Sequence, residues 1–258
     1  MLGAILGDIV GSRFEGKTNV PQDFVLMTDD CRFTDDTVHT IAIAKALREH
    51  IETGAELKGL AVQYLQEYGR RYLWCGCGDR FYKWLFKTAP KPYESYGNGA
   101  AMRVSSCAWF ASSLEQALAY AEQVTEITHN HTDAVCGAKA VVQFIWYGRQ
   151  GVEKQEAYRL LIDSGLYYPQ EVAQGKFDVT CKGTVNAAIH AFMNGNSFAE
   201  VLRNAVLYGG DTDTTAAVAG SIAEAYYQIP VDIKEQAVAK FDDFLRAAYI
   251  SAFHLDIL

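Results

Sequence analysis

The sequence predicts an all-α protein, a single compact orthogonal helical domain of about ten or more helices over residues 1–258. Three observations carry that prediction. Apolar residues recur at three- and four-residue spacing through most of the chain, with no sustained alternating run and no hairpin signal. Helix-start signatures, a Ser followed three residues later by Glu or Gln, stand at Ser112, Ser113 and Ser197. The prolines punctuate the chain between the periodic segments rather than inside them. No internal repeat is evident.

Residues 2–11 place Gly3, Gly7 and Gly11 four apart among Leu2, Ile5, Leu6, Ile9 and Val10. Glycine weakens a helix, so such a stripe makes sense where another backbone packs very close. Ala216, Ala219, Gly220 and Ala223 offer a matching small surface, and the two helices are expected to cross there. Residues 16–33, with Pro21, read as a loop. Helices follow at 35–49 and at 56–72, where Leu57, Leu60, Ala61, Tyr64, Leu65 and Tyr68 share one face. A shorter one holds Phe81, Trp84 and Leu85. Pro90 and Pro92 force an irregular stretch that ends by opening a helix at Ala100. Further helices are expected through Thr125, to Tyr147, at 152–163, 183–194, 198–207, 213–227 and 232–249, with a polar loop at 165–180.

Two of these helices open on dense clusters of acids. Gly209-Gly210-Asp211-Thr212-Asp213-Thr214-Thr215 precedes an alanine-rich helix with almost no polar face, which must therefore be buried. Phe33-Thr34-Asp35-Asp36-Thr37 opens another apolar helix. Each alone is an ordinary cap. On a regular helix Asp211 and Asp213 would point roughly 200° apart, at about 100° per residue. They converge only if Asp211 still belongs to a turn, which the two glycines permit. If the two helix mouths meet, four carboxylates crowd one spot and repel unless hard divalent cations lie between them. Oxygen donors without His or Cys suit Mg²⁺ or Mn²⁺.

Composition narrows the rest. Half the residues are apolar, 21% are charged, and the net charge of −8 opposes a broad nucleic-acid-binding surface. No 18-residue apolar span predicts a membrane helix. The N-terminus lacks the basic start of a signal peptide, and Asp8 interrupts its apolar run. The six cysteines are scattered and read as reduced thiols of a cytoplasmic protein. Gly76 and Gly78 could bare backbone N–H groups to a phosphate or simply make a turn. Gly97-Asn98-Gly99 has the same two readings. His129 and His131, two apart, read more readily as a surface loop than as a catalytic pair.

Taken together, these segments resemble the ADP-ribosylglycohydrolase family, including the dinitrogenase reductase-activating glycohydrolases, in a compact bacterial or phage-type form. The resemblance rests on Gly7-Asp8-Ile9-Val10-Gly11-Ser12-Arg13-Phe14-Glu15, Phe33 to Thr37, Ser95-Tyr96-Gly97-Asn98-Gly99-Ala100-Ala101-Met102-Arg103-Val104, Thr128-His129-Asn130, and Gly209 through Gly220. It implies two divalent cations, Mg²⁺ or Mn²⁺, held by Thr34, Asp35, Asp36, Asp211, Asp213 and Thr214. Glu15 then matches a mobile acid beside the metals, and Asp36 or Glu15 would accept a proton from water. Gly76, Gly78, Ser95, Gly97, Asn98, Gly99, Met102 and His129 fall where ADP-ribose is contacted; Cys77 stands inside that glycine loop. The implied reaction releases ADP-ribose from an ADP-ribosylated protein or other acceptor by cleavage at the ribose anomeric carbon. The competing expectations are a non-catalytic ADP-ribose-binding module and a structural metal protein.

Overall fold

Helices account for every regular element of the structure, a computed structural model describing residues 1–172 and 174–253; none of the described residues forms a strand. Helices α1 (Leu2–Gly11), α2 (Asp35–Thr53), α3 (Leu57–Arg71) and α4 (Asp79–Leu85) make up the first third of the chain. Next come α5 (Ser105–Phe110), α6 (Leu114–Glu126), α7 (Thr132–Arg149) and α8 (Lys154–Asp163). After a long loop follow α9 (Cys181–Met193), α10 (Phe198–Leu207), α11 (Thr212–Ala223), α12 (Val231–Val238) and α13 (Asp243–Phe253). One apolar core draws on helices from both ends of the chain, from Leu2 to Tyr249.

At its centre lie α1 and α11, in which every residue is buried. The small-residue stripes meet as expected, and the helices run antiparallel. A Cβ on Gly3 would lie 2.2 Å from the Gly220 carbonyl oxygen, one on Gly7 1.9 Å from that of Ala216, and one on Gly11 2.4 Å from that of Thr212. Only glycine permits this approach. Glu224, just past α11, accepts from the Leu2 and Gly3 N–H groups and pairs with the terminal ammonium of Met1. It thereby satisfies donors that a helix start leaves open.

Several boundaries differ from expectation: α2 runs on to Thr53 rather than ending at 49, and α11 ends at Ala223 rather than at 227. No helix begins at Ala100: Asn98–Ala100 forms a single 3₁₀ turn, and α5 starts only at Ser105. The segment 232–249 is two helices, because a turn closed by Lys240 N–H to Ala237 and Phe241 N–H to Val238 sends the buried Phe241 ring into the core. At the start of α6 the cap is Ser113, whose Oγ accepts from the Gln116 N–H, while Gln116 reaches back to Ser112; Glu115 takes no part in it. The Ser197–Glu200 pair behaves as predicted, Ser197 Oγ accepting from the Glu200 N–H. The expected loop at 165–180 contains no helix among its described residues.

Candidate active site

The antiparallel crossing sets the C-terminal end of α1 beside the N-terminal end of α11. The chain leaving α1 is tied to the glycine turn before α11: Gly16 N–H donates to the Gly210 carbonyl at 2.8 Å, and Gly210 N–H to that of Lys17 at 2.8 Å. Gly209 and Gly210 take φ of 71° and 74°, and a Cβ on Gly210 would fall 2.3 Å from the Lys176 carbonyl oxygen. Asp211 follows with φ −83° and ψ 72°, outside the helix, and makes no capping bond. It accepts instead from Asn98 Nδ2 at 2.5 Å. Its backbone is the turn that convergence with Asp213 requires, and one carboxylate oxygen each of Glu15, Asp211 and Asp213 lies within 4.8 Å of the others.

The mouth of α2 is held to α1 by a residue that local pattern presents as a mere interruption. Asp8 Oδ1 accepts from Thr34 Oγ1 at 2.7 Å, and Oδ2 accepts from the N–H groups of Thr34 at 2.9 Å and Thr37 at 3.1 Å and from the Thr37 hydroxyl. Thr34 caps α2 by accepting from the Asp36 N–H. Asp8, Asp36 and Asp213 then form a second buried group of carboxylates, one oxygen of each within 4.8 Å of the others. Thr214 Oγ1 donates to Asp36 Oδ2 at 3.2 Å and links the two helix mouths. Asp35 points to the cavity's edge, its Oδ2 3.7 Å from His39 Nδ1.

So many acids in one apolar pocket cannot all stay charged unaided. Burial holds every one above its ordinary range, and neighbouring carboxylates add to it for all but Asp8. Asp8 is pushed up to about 6 by burial, against the pull of its threonine donors. Asp35 reaches about 8 through burial and then the charges of Asp8 and Asp211. Asp36 and Asp213 stand well above the carboxylate range, by burial first and then by Asp8 and Asp211 respectively. Burial also raises Asp211, against hydrogen bonds from Asp213, Asn98 and Thr214. Glu15 is raised by burial and then by Asp211. Asp36 Oδ1 and Asp213 Oδ1 are buried without any hydrogen-bond partner. An all-oxygen donor set with open, buried carboxylate oxygens fits a hard cation. Asp8 fits less well as a ligand, since its oxygens are already taken by four donors.

A cavity of about 420 Å³ lies over this acidic floor. Glu15, Asp35, Asp36, Asp211, Asp213 and Thr214 line one side. Gly76, Gly78, Ser95, Gly97, Asn98, Gly99, Met102 and His129 line the remainder, so of the residues singled out by sequence only Thr34 is set back behind the wall. The Ser95–Gly99 segment is held by Asn98 N–H to the Val179 carbonyl at 2.9 Å and by Cys181 N–H to that of Tyr96 at 2.8 Å. A Cβ on Gly99 would meet His129 Nε2 at 3.1 Å.

His129 corrects the surface-loop expectation: it is buried, while His131 is exposed and caps α7. Burial and then Arg103 hold it neutral. Arg103, fully buried, donates Nη2 to Thr128 Oγ1 at 2.6 Å, and that hydroxyl lies 2.7 Å from His129 Nδ1. Nδ1 is thus engaged by the Thr128 hydroxyl, and Nε2 is the ring nitrogen that faces Gly99 and the cavity. Sequence reasoning passed over Asp8, Arg80, Phe81, Tyr93, Phe177 and Val179, all but Asp8 in the cavity lining. For Asp8 a signal existed, an acid inside a helix whose glycine stripe already implied full burial.

The raised carboxylates give a stability test. A group whose folded value exceeds its unfolded one, near 4 for Asp, stabilises the fold below that unfolded value and loses the contribution as pH rises through the folded value. With Asp8 at about 6 and Asp35 at about 8, the metal-free protein is expected to melt at progressively lower temperature from about pH 5 to about pH 8. Scanning calorimetry in chelator measures this; a flat or rising trend contradicts the crowding described here.

A family model described as ADP-ribosylglycohydrolase matches residues 1–254. The chain is 26% identical over 317 residues to ADP-ribosylhydrolase ARH3 of Xenopus tropicalis, covering 92% of this chain and 89% of that protein. It is 32% identical over 164 residues to the ADP-ribosyl-[dinitrogen reductase] glycohydrolase of Rhodospirillum rubrum, covering 60% and 54%. A solved structure titled ADP-ribosylglycohydrolase-related protein complex shares the fold, with a TM-score of 0.71 at 21% identity over 98% of this chain and 95% of that one. With a match that runs from the α1 glycine stripe past α13, the chain belongs to the ADP-ribosylglycohydrolase family.

Proposed function

We propose that this protein, acting as one domain, hydrolyses the glycosidic bond between ADP-ribose and a modified acceptor. The observation that carries the reading is the convergence of Glu15, Asp36, Asp211 and Asp213 from both ends of the chain onto one cavity that Gly97, Asn98, Gly99 and His129 also line. The relatives named above for acting on ADP-ribosyl groups support it. The six free thiols and the lack of any described helix long and apolar enough to cross a membrane support a cytoplasmic setting.

Two divalent cations, Mg²⁺ or Mn²⁺, would be held by Asp35, Asp36, Asp211 and Asp213 with the hydroxyls of Thr34 and Thr214. Bound there, they would supply Lewis-acid chemistry, fixing ribose hydroxyls and lowering the pKa of a water. The protein's own groups do the rest. Asn98 orients Asp211, and Asp8 fixes the Thr34–Thr37 turn so that Asp36 faces inward. Glu15 stands in a break outside any helix, exposed at the cavity lining, with its affinity for a proton raised. It is suited to take the proton of the attacking water on a carboxylate oxygen as positive charge builds at the anomeric carbon. His129 Nε2 is placed to hydrogen-bond a polar atom of the bound nucleotide.

The direct test incubates the protein with ADP-ribosylated acceptors and Mg²⁺, with and without chelator, and follows free ADP-ribose. Chelator-sensitive release is expected; retention of ADP-ribose without release identifies a binding module instead. Glu15→Gln is expected to lower turnover by about 100-fold or more. It should leave the metal-dependent rise in melting temperature in place, because Glu15 is exposed and bears no helix. Turnover like wild type in that variant removes Glu15 from the mechanism.

A further inference from the structure

Two cations border the cavity. Arg103 is fully buried and donates to Thr128 and to the Val124 carbonyl. Arg80 is exposed, on the first turn of α4, two residues beyond Gly78. No carboxylate among the described residues pairs with it. Its guanidinium rests on Tyr93, donating to the carbonyl and lying 4.8 Å from the ring centroid. An arginine left without a counter-ion at the wall of a site whose floor is acidic requires a reason. The floor attracts cations and repels phosphate. With the floor taken up by cations and ribose hydroxyls in the reading above, the diphosphate is left the rest of the lining, which includes Arg80. Gly76 stands beside the Asp35 carboxylate, where a Cβ would lie 3.8 Å from Oδ1, but one on Gly78 would meet nothing within 4 Å, so open space lies beside Gly78, two residues before Arg80.

We propose that Arg80 is a binding residue for the diphosphate of ADP-ribose, leaving the Tyr93 carbonyl to form charge-assisted hydrogen bonds with the phosphate oxygens. The guanidinium is suited to this, since its planar fork matches phosphate and its stacking on Tyr93 limits the freedom it must lose. The inference rests on the ADP-ribose reading above and makes that reading's specificity a matter of phosphate charge as well as ribose and base. Discrimination follows: a ligand with the diphosphate depends on Arg80, and one without it does not.

Titration calorimetry with Mg²⁺ present, on wild type, Arg80→Ala and Arg80→Lys, uses ADP-ribose and adenosine as probes. Arg80→Ala is expected to weaken ADP-ribose binding by about 10- to 100-fold and adenosine binding by less than about 2-fold. Arg80→Lys should fall between, and the decline of ADP-ribose affinity with added salt should become shallower in Arg80→Ala. Each variant's melting curve reports whether it folds. Equal losses for both ligands, or an unchanged ADP-ribose affinity, overturn the role of Arg80 while leaving the hydrolase reading intact. A wild-type protein that does not bind ADP-ribose overturns both.

Discussion

Gly7→Val is expected to abolish folding, and even Gly7→Ala to cost more than about 4 kcal/mol, most or all of the stability of an ordinary domain. Elsewhere in a helix the alanine change would help by about 1 kcal/mol. Here the added carbon would stand 1.9 Å from the Ala216 carbonyl oxygen, 2.3 Å from its carbon and 2.6 Å from the Ala217 nitrogen. All three are backbone atoms of α11, so no side-chain rotation makes room. Neither helix can turn aside, because both are buried on every face and Ile5, Leu6, Ile9 and Val10 fill the core around Gly7. The helices must separate, which opens voids along the centre of the molecule and draws Asp8 away from Asp213. Gly59→Ala is the matched control: on the exposed side of α3 its new carbon meets only the Glu56 carboxylate that caps the helix, at 3.1 Å, a side chain rather than backbone and able to shift, and should change stability little. Denaturant melts of the three variants decide it. A Gly7→Ala protein as stable as Gly59→Ala means that the two central helices do not touch as described.

The contact between α1 and α11 was legible because it is written as residue size at helical spacing, in Gly3, Gly7 and Gly11 against Ala216 and Gly220. The acid clusters were legible for a similar reason. Two acids at each of two apolar helix mouths are costly in isolation, so their meeting was implied by charge alone. The turn at Asp211 followed from Gly209 and Gly210, whose φ values admit no other common residue. What local pattern hid was long-range partnership. Asp8 finds its donors 26 and 29 residues away, and nothing within one turn of it announces Thr34 or Thr37. His129 was misread because loop composition says nothing of Tyr93 and the Gly97–Gly99 turn that pack against its ring. The break between α12 and α13 carries neither glycine nor proline. It exists because Phe241 must reach the core, a demand of packing rather than of propensity. Arg80 escaped notice for lack of any motif; only the absence of a counter-ion in three dimensions marks it.

Asp36→Asn is expected to separate the cost of the acidic floor from its use, with effects of opposite sign on the metal-free and metal-loaded protein. Asp36 is buried, its Oδ1 has no partner, and the charges of Asp8 and Asp213 press on it. An amide of nearly the same shape is neutral without having to hold a proton and offers two N–H donors to the neighbouring carboxylates, so the metal-free variant should melt higher than metal-free wild type at pH 7. Thr34 still caps the helix, and Thr214 can still donate to the side-chain oxygen, so the fold has no reason to change. With metal the order reverses. A ligand at about 100 times its Kd stabilises by roughly 2.7 kcal/mol, and a variant that has lost an anionic donor forfeits most of that at the same metal concentration. Turnover should drop by at least about 100-fold, since the charge that would help activate water is gone. Four melting curves, wild type and Asp36→Asn with chelator and with Mg²⁺, read out both signs together. A variant that melts lower than wild type in chelator refutes the crowding of charges at this site. One whose Mg²⁺-induced shift equals that of wild type removes Asp36 from the ligand set.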